Sequence, residues 1–237
     1  MNKKIVGISY LVSKDTVMPG TIPPPKLRAR SRMAKCPDGF GETEIRWGSY
    51  NNTSFIEICT HAGTHIDAPF HVDSNGLTID SFDFADFIFD SPLLLELPKG
   101  DLEKITRDDI AAYKDELEGS DLLLVYTGFS KYRKSDPDRY QKKQPGFSVE
   151  AAKYLVDNFP SLKAVGIDLM GIENIGKAKP EFPVHKAFLK DDKKFFLMED
   201  ADLSSISGKK VSRVYIVPLR VRGAEAMPVT AFAEVEG

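Results

Sequence analysis

The chain has 237 residues, 42% of them hydrophobic, and a formal net charge of −3 from 32 Lys+Arg and 35 Asp+Glu. This length is typical of one domain with a core of ordinary size, and the interleaved charges argue against nucleic acid or an anionic membrane as a partner. The two cysteines, Cys36 and Cys59, lack CxxC spacing and favour a reducing, cytoplasmic setting. Because we find neither signal-peptide features nor an apolar run of roughly 20 residues, we expect a soluble protein.

The N-terminal part predicts one strand, a long loop and a hairpin. Apolar and β-branched residues favour a strand at Ile5–Val12. The stretch Ser13–Gly41 is rich in Pro, Gly and basic residues and predicts a loop, within an irregular segment at about residues 13–47. A loop of this length carries function, packs on a partner subunit or is simply solvated. The pair Asn51-Asn52 predicts the turn of a hairpin over Thr43–Thr60.

Strands and helices alternate through the middle of the chain. Short apolar runs predict buried strands at Ser91–Leu97, Asp121–Thr127 and Lys163–Leu169. Helices are predicted at Thr106–Leu117, with Thr106 as N-cap and Asp109 at the reciprocal position, and at Ser148–Asn158, with Ser148 as N-cap. Later strands are predicted at Lys194–Met198, Val211–Pro218 and Val229–Val235. We therefore expect an α/β fold with a mixed sheet and flanking helices, in a single domain over residues 1–237.

The strongest chemical signal is the segment HAGTHIDAPFH, which holds three of the four histidines of the chain. Even steps separate His61, His65, Asp67 and His71, so an extended backbone would point all four side chains to one face. A helix would turn Asp67 away from that face, and the glycine and proline within the segment also disfavour a helix. The pattern therefore predicts a cluster of imidazoles around one carboxylate.

These side chains are suited to a divalent metal, zinc above all, or manganese or iron if more oxygen donors join. The trio His61, His65 and Asp67 would leave positions open for water, as a catalytic site requires. His71 then remains as a proton-transfer group, with a structural role as its alternative. Gly63 and Thr64 either support the metal ligands or simply form a turn.

Several other side chains permit two interpretations. The pairing of His185 with Glu199, fourteen residues later, is weak by itself, since both are also typical surface or capping residues. Cys59 is expected to be a buried free thiol. Asp168 ends a predicted strand and either takes part in a site or stabilises a turn. Core packing, an interface or an aromatic substrate would explain the aromatic residues Trp47, Phe82, Phe84, Phe87 and Phe89.

The histidine segment resembles the H-x-G-T-H-x-D-x-P-x-H signature of a cyclase family that includes bacterial kynurenine formamidases and isatin hydrolase. Every fixed position of the signature is filled. The downstream stretch VHKAFLKDDKKFFLMEDADLSSI resembles the family's His, short strand and Glu, with a gap a couple of residues longer. The end, VPLRVRGAEAMPVTAFAEV, is similar to the family's closing strand, loop and strand, whereas Ser13–Trp47 matches poorly.

The resemblance implies a swivelling β/β/α fold and a centre with one or two divalent ions, Zn²⁺ first and Mn²⁺ as the alternative. It implies that His61, His65 and Asp67 hold one metal, that Asp67, His185 and Glu199 are available for a second, and that His71 is the acid/base. It also implies a homodimer or higher homo-oligomer, in which N-terminal segments help to close the neighbour's pocket.

The activity implied is hydrolysis of a small-molecule amide. The candidate substrates are an aryl formamide such as N-formylkynurenine, an intermediate of tryptophan catabolism, and a cyclic amide such as isatin. Two alternatives stay open: a metal-dependent lyase or cyclase that acts on a carbonyl compound, and a non-catalytic relative that binds metal or a small ligand.

Overall fold

The computed structural model of the protein describes residues 3–30, 53–174, 180–190 and 193–236. In these ranges the strands are β1 (Lys3–Gly7), β2 (Lys26–Arg30), β3 (Thr53–Glu57), β4 (His65–Asp67), β5 (Ile88–Phe89), β6 (Pro92–Glu96), β7 (Lys104–Ile105), β8 (Leu122–Tyr126), β9 (Gly146–Phe147), β10 (Ala164–Ile167), β11 (Phe196–Glu199), β12 (Val211–Pro218) and β13 (Ala226–Glu236). The α-helices are α1 (Arg107–Ala111), α2 (Lys114–Leu117), α3 (Tyr132–Ser135), α4 (Pro137–Lys143), α5 (Val149–Asn158) and α6 (Pro183–Phe188).

One mixed sheet of nine strands organises the described part of the chain. Its order is β5-β12-β13-β4-β11-β10-β8-β6, and β1 also pairs with β13. The strands β6, β8, β10 and β11 are parallel, whereas β4, β13, β12, β5 and β1 join by antiparallel pairing. The predicted α/β fold with a mixed sheet is confirmed, and β4 lies where its parallel and antiparallel halves meet.

The sheet is buried on both faces because successive side chains of a strand point in opposite directions. On β8, Leu123 belongs to the core that contains Leu155 of α5. The next residue, Leu124, belongs to the other core, with Val214 of β12. A strand covered on both sides needs apolar residues at every position, which explains the continuous run LLLVY in β8.

The predicted helix Thr106–Leu117 begins as expected but is divided into α1 and α2. The capping box is confirmed, since Asp109 N–H donates to Thr106 Oγ1 (3.2 Å) and Thr106 N–H donates to Asp109 Oδ2 (2.7 Å). The division falls at Tyr113, whose φ and ψ of −114° and 28° are not helical. The second predicted helix is confirmed as α5, where the Ser148 hydroxyl accepts from Ala151 N–H.

The N-terminal region departs from the prediction. The first strand covers Lys3–Gly7, not Ile5–Val12. The loop predicted over Ser13–Gly41 is wrong at β2, which pairs antiparallel with β3 from Lys26↔Glu57 to Arg30↔Thr53. The predicted Asn51-Asn52 turn lies outside the described residues, as do Trp47 and Cys36. In the part of the chain that the structure describes, no helix is long and apolar enough to cross a membrane.

Candidate metal centre

Strand β4 places two of the predicted ligands on one face of the sheet. His65 and Asp67 are two residues apart in an extended strand and therefore point the same way. Across the antiparallel pairing with β11, His65 is directly opposite Glu199, and Asp67 is opposite Leu197. Directly opposed residues of an antiparallel pair are close neighbours, so Glu199 comes next to His65 although the two are far apart in sequence.

The rest of the histidine segment is not extended, which corrects the prediction of one strand through all four sites. Extended structure covers only His65–Asp67. Before it the chain turns at Gly63, which has φ +65°, a conformation that favours glycine. After it a 3-10 helix spans Pro69–His71. The chain therefore curls, and the rings of His61 and His71 approach to 4.6 Å between centroids.

Helix α6 brings the fourth histidine to the same place. His185 is buried, with Nε2 3.2 Å from Glu199 Oε1 and 3.8 Å from Asp67 Oδ2. The helix follows Phe182, which has φ +47°, a conformation that a residue with a side chain rarely adopts. Asp200, next to Glu199, likewise has φ +51°. Strained backbone thus flanks both late site residues, as is typical of functional sites.

The spacing of the donor atoms matches a metal centre. Ligand atoms that each lie about 2.1 Å from one cation stand roughly 3.0–3.4 Å apart in octahedral or tetrahedral geometry. The separations are 3.0 Å for His61 Nδ1 and Asp67 Oδ1, and 3.4 Å for His65 Nε2 from both Asp67 Oδ1 and Glu199 Oε2. Imidazole nitrogen and carboxylate oxygen are also the ligand types that zinc accepts.

Several buried polar atoms of the cluster have no hydrogen-bond partner within the described part of the chain, as expected of a site that binds a metal. Among the described residues, His65 Nε2 and both carboxylate oxygens of Asp67 are buried and have no hydrogen-bond partner. An unsatisfied buried polar atom is costly, and more so if it is charged. His65 Nε2 lies 3.4 Å from Asp67 Oδ1, so a cation bound between the imidazole and the carboxylate would give these atoms a partner.

The electrostatics of the cluster favour positive charge at its centre. Burial by itself lowers the pKa of His65, yet the carboxylates of Asp67 and Glu199 raise that pKa well above its usual value. Burial by itself raises the pKa of Asp67, yet the neighbouring imidazoles hold it well below its usual value. Burial also opposes the shift at His185, whose pKa is raised to about 10 by the carboxylates of Glu173 and Glu199.

Two of the imidazoles turn one nitrogen toward Asp67 and the other toward an acceptor outside the cluster. His65 Nδ1 lies 2.9 Å from the carbonyl oxygen of Gly63. His61 Nε2 lies 3.6 Å from Glu225 Oε1, which also accepts a 2.6 Å hydrogen bond from the hydroxyl of Thr60. Acceptors of this kind set which nitrogen of a histidine carries the proton.

His71 differs from the other histidines. Among the described residues it has no side-chain hydrogen-bond partner, although its ring lies 5.5 Å from that of His185. Partial burial lowers the pKa of His71, against the opposing effect of Asp67. The lowered pKa favours the neutral imidazole, which has one nitrogen free to accept a proton.

The donor atoms form two trios that share Asp67. Within each trio the ligand atoms lie within 4.8 Å of one another, the trios being His61, Asp67, His71 and His65, Asp67, Glu199. The structure thus groups His65 with Glu199 and places His71 where it would serve either as a ligand or as an acid/base. A shared carboxylate is compatible with one ion or with two.

A cavity of about 350 Å³ opens beside the cluster. The described residues that line it are Phe70, His71, Val72, Asp73, Ser74, Pro180, Glu181, Phe182 and Lys186. His71 is the predicted site residue in this lining. The ring of Phe182 stands edge-on to the His71 ring, with 6.3 Å between the two centroids, and Phe182 is 42% exposed. The cavity therefore joins an accessible aromatic surface to the imidazole of His71.

A buried ion pair lies behind the cluster. The guanidinium of Arg133 donates two hydrogen bonds of 2.7 and 2.6 Å to the carboxylate of Asp200. The hydroxyl of Tyr140 donates to the same carboxylate at 2.7 Å, and the hydroxyl of Thr64 donates to the Asp200 carbonyl at 2.6 Å. These bonds tie the residues that follow Glu199 to the turn that precedes His65.

Some contributions were not apparent from the sequence. No local motif singles out Glu173, Glu225 or Arg133, and only the tertiary contacts distinguish them. Cys59 is a free cysteine of intermediate exposure, which corrects the prediction that it is buried. Asp168 accepts from the backbone N–H and the hydroxyl of Thr127 at 2.8 and 2.7 Å, which corresponds to its turn-stabilising interpretation.

Core packing is confirmed for three of the four phenylalanines, and the interface alternative stays a prediction for the fourth. Phe82, Phe87 and Phe89 are buried in one core, while Phe84 is 71% exposed. The exposed ring lies under the guanidinium of Arg220, 4.8 Å from the ring centroid.

A mixed sheet gathers imidazoles and carboxylates around one buried aspartate, and solved structures described as potential or predicted metal-dependent hydrolases share this fold. The sequence matches the model of the Cyclase family, described as “Putative cyclase”, over residues 8–174. The chain belongs to this family.

Relatives differ in how much of each chain is matched. An uncharacterized protein of Haemophilus influenzae is 42% identical over 116 residues, 48% of this chain and 82% of the relative. Cyclase-like protein 2 of Arabidopsis thaliana is 31% identical over 186 residues, 77% of this chain and 65% of the relative, so the chain spans about two thirds of that protein. The kynurenine formamidase of Geobacillus thermodenitrificans is 30% identical over 135 residues, 56% of this chain and 58% of the relative.

Solved structures share the fold along the whole chain. A protein of Bacillus stearothermophilus, described as a predicted metal-dependent hydrolase, has a TM-score of 0.72 at 25% identity and covers 99% of both chains. Isatin hydrolase A of Labrenzia aggregata has a TM-score of 0.77 at 19% identity, with 99% of this chain and 94% of that chain covered. These matches confirm the expected swivelling β/β/α fold of the family.

Proposed function

We propose that the protein hydrolyses a carbon–nitrogen amide bond in a small molecule, at a centre that holds one or two divalent metal ions. The observation that carries this proposal is the convergence of imidazoles and carboxylates on Asp67, whose two buried oxygens have no hydrogen-bond partner among the described residues. The residues that would hold the metal are His61, His65, Asp67, His185 and Glu199. Their mixed nitrogen and oxygen donors suit Zn²⁺, with Mn²⁺ as the alternative.

The chain supplies a proton carrier beside this centre. When bound, a divalent metal acts as a Lewis acid that polarises a carbonyl and makes water a nucleophile near neutral pH. His71 borders both the cluster and the cavity. Its imidazole is placed to take the proton that the attacking water loses and to pass it to the leaving nitrogen. The buried walls around His65 and Asp67 exclude bulk water, which strengthens every charge interaction at the centre.

The cavity favours an aromatic substrate. The exposed ring of Phe182 and that of Phe70, 37% exposed, offer apolar surface next to His71. An aryl formamide such as N-formylkynurenine, or a cyclic amide such as isatin, would place a ring there and its carbonyl toward the cluster. The kynurenine formamidase and isatin hydrolase among the similar proteins support the same substrate class.

Metal content and turnover test the proposal together. Purified wild type and His65→Ala, each loaded with Zn²⁺ or Mn²⁺ and then desalted, would be compared by elemental analysis and by hydrolysis of N-formylkynurenine and isatin. We expect stoichiometric metal and hydrolysis in the wild type, and loss of both in the variant. The exposed Glu150→Gln serves as control. A wild type that retains no metal under any loading, or that retains metal and releases no carboxylate product, would contradict the proposal.

We also propose that two copies of the chain associate through the ribbon formed by β2 and β3. This ribbon is a two-stranded sheet separate from the main sheet, with Phe55 47% and Ile56 70% exposed. Light scattering after gel filtration would measure the mass, and we expect Ile56→Asp to lower it to that of one chain. A wild-type monomer would overturn this proposal. The cytoplasmic location stays a prediction.

A further inference from the structure

Glu173 is a buried carboxylate next to the metal centre, and the proposed reaction gives it no role. It is 4% exposed. Its Oε1 accepts hydrogen bonds from Val184 N–H at 2.7 Å and from His185 N–H at 3.2 Å. The same oxygen lies 3.3 Å from Nδ1 of the His185 imidazole. One carboxylate oxygen therefore contacts both the backbone and the ring of a proposed metal ligand.

These contacts determine which nitrogen of His185 faces the cluster. Because Nδ1 points to Glu173, Nε2 points to Glu199, 3.2 Å away. A histidine that binds a metal through Nε2 must carry its proton on Nδ1 and needs an acceptor for that proton. Among the described residues His185 Nδ1 is buried and has no hydrogen bond of normal geometry, and the Glu173 carboxylate, 3.3 Å away, is the acceptor next to it. A carboxylate that takes this proton makes the ring a better electron-pair donor.

The backbone of Glu173 is itself held in place. The side-chain amide of Gln144 donates to the carbonyl oxygens of Gly171 and Glu173, at 2.9 and 2.7 Å. Gly146 packs so closely that a Cβ there would stand 2.6 Å from the carbonyl carbon of Glu173. The acceptor is thus fixed before any metal arrives, which is the condition for orienting a ligand rather than following it.

We propose that Glu173 is a positioning residue, which holds the His185 imidazole in the tautomer and orientation that bind metal. This inference rests on the proposed metal centre. A purely structural role is the alternative, since the same oxygen also satisfies two backbone N–H groups at the start of α6. The two roles differ in whether the effect of Glu173 on metal affinity depends on the presence of the His185 ring.

The test is a double-mutant cycle on zinc affinity. The dissociation constant for Zn²⁺ would be measured by competition with a chromophoric chelator for wild type, Glu173→Gln, Glu173→Ala, His185→Ala and each Glu173 variant combined with His185→Ala. The ion of interest is the one whose binding His185→Ala weakens. Glu150→Gln is the control, because it makes the same change of Glu to Gln at an exposed residue in the first turn of α5.

We expect Glu173→Gln to weaken zinc binding about 10-fold and Glu173→Ala up to about 100-fold, the range typical of residues that orient metal ligands. Glu173→Gln preserves the carbonyl acceptor for α6 and keeps the test valid if Glu173→Ala does not fold. In the His185→Ala background neither change should weaken binding further. Glu150→Gln should bind like the wild type.

Three outcomes would overturn the inference, and a fourth concerns the centre itself. Zinc affinities of both Glu173 variants within twofold of the wild type would show that the carboxylate does not act on the ligand. An equal loss with and without the His185 ring, or an equal loss in Glu150→Gln, would assign a structural role. A wild type that binds no Zn²⁺ would instead contradict the proposed function, so the two failures are distinguishable.

Discussion

Replacing Arg133 by methionine would remove one partner of the buried ion pair behind the metal centre. The guanidinium and the Asp200 carboxylate are 14% and 3% exposed, and two hydrogen bonds join them. The guanidinium also stacks on the ring of Tyr10, 4.0 Å from its centroid. After the substitution, the carboxylate would keep, among the described residues, only the hydroxyl of Tyr140 as a side-chain donor.

The expected loss follows from this burial. Breaking a buried ion pair by removing one partner costs about 3–5 kcal/mol, because an uncompensated charge remains in a site of low polarity. The Tyr140 hydroxyl still donates to the carboxylate, and Arg133 is partly exposed, so we expect the loss of unfolding free energy near the lower end of this range, about 3 kcal/mol. With a urea m-value of about 3 kcal/mol/M for a chain of this size, the urea midpoint should fall by roughly 1 M.

A second substitution isolates the charge. Asn at position 200 removes the negative charge and tolerates the positive φ of Asp200. We therefore expect Arg133→Met/Asp200→Asn to be at least about 1 kcal/mol more stable than the sum of the two single losses predicts. Urea unfolding followed by circular dichroism would measure all three variants beside the wild type.

The matched control is Arg139→Met. Arg139 donates to Asp101 at 2.9 and 2.8 Å and lies over the ring of Tyr132, but this pair is exposed, 38% and 40%. Water and salt screen an exposed pair, so the urea midpoint should not change measurably. If Arg133→Met shifts the midpoint no more than this control, or if the double variant loses the full sum, burial is not the source of the stability.

Three further predictions concern the proposed proton carrier His71, the close packing of Gly76, and the pH dependence of the helix-capping carboxylate of Asp109. His71→Asn should keep its zinc in elemental analysis while turnover falls ~10²- to 10⁴-fold, and a loss of zinc would make His71 a ligand instead. Gly76→Ala should lower the melting temperature and the activity, because its Cβ would stand 2.5 Å from the backbone of the turn that carries His71. In Gly7→Ala the Cβ has no atom within 4 Å, so an equal loss there would refute the contact. Although partial burial raises the pKa of Asp109, hydrogen bonds from Lys99 and the helix cap bring it below its usual value. The ionised Asp109 carboxylate therefore stabilises the folded protein above about pH 4, and this contribution is lost as the pH falls below that. The difference in unfolding free energy between wild type and Asp109→Asn should shrink from pH 7 to pH 3, and a constant difference would contradict this account.

Local sequence determined the elements whose interactions are local. The capping box of Thr106 and Asp109 spans three residues, so it is readable before any tertiary contact is known. The buried strands β8 and β10 can be predicted from their unbroken apolar runs, which are needed because both faces of the sheet are covered. The clustering of His61, His65, Asp67 and His71 was likewise visible, since eleven residues cannot separate far.

Distant contacts decided the rest. Strand β2 could not be predicted from its own residues, because a segment rich in Lys and Arg forms a strand here only by pairing with β3. The curl of the histidine segment depends on the turn at Gly63. The position of His185 depends on helix α6, on strained backbone at Phe182 and on the carboxylate of Glu173, none of which has a local pattern.

The sequence by itself therefore predicted His61, His65, Asp67 and His71 as the candidates for the chemistry, because residue types that bind metals are few and distinctive and these four lie close together in the chain. Only the tertiary structure decided how they are arranged and what orients them. Antiparallel pairing of β4 with β11 sets Glu199 opposite His65, and packing of distant segments sets the rotation of each imidazole. Such contacts gain their free energy only once the chain has folded, so no local pattern of residues encodes them.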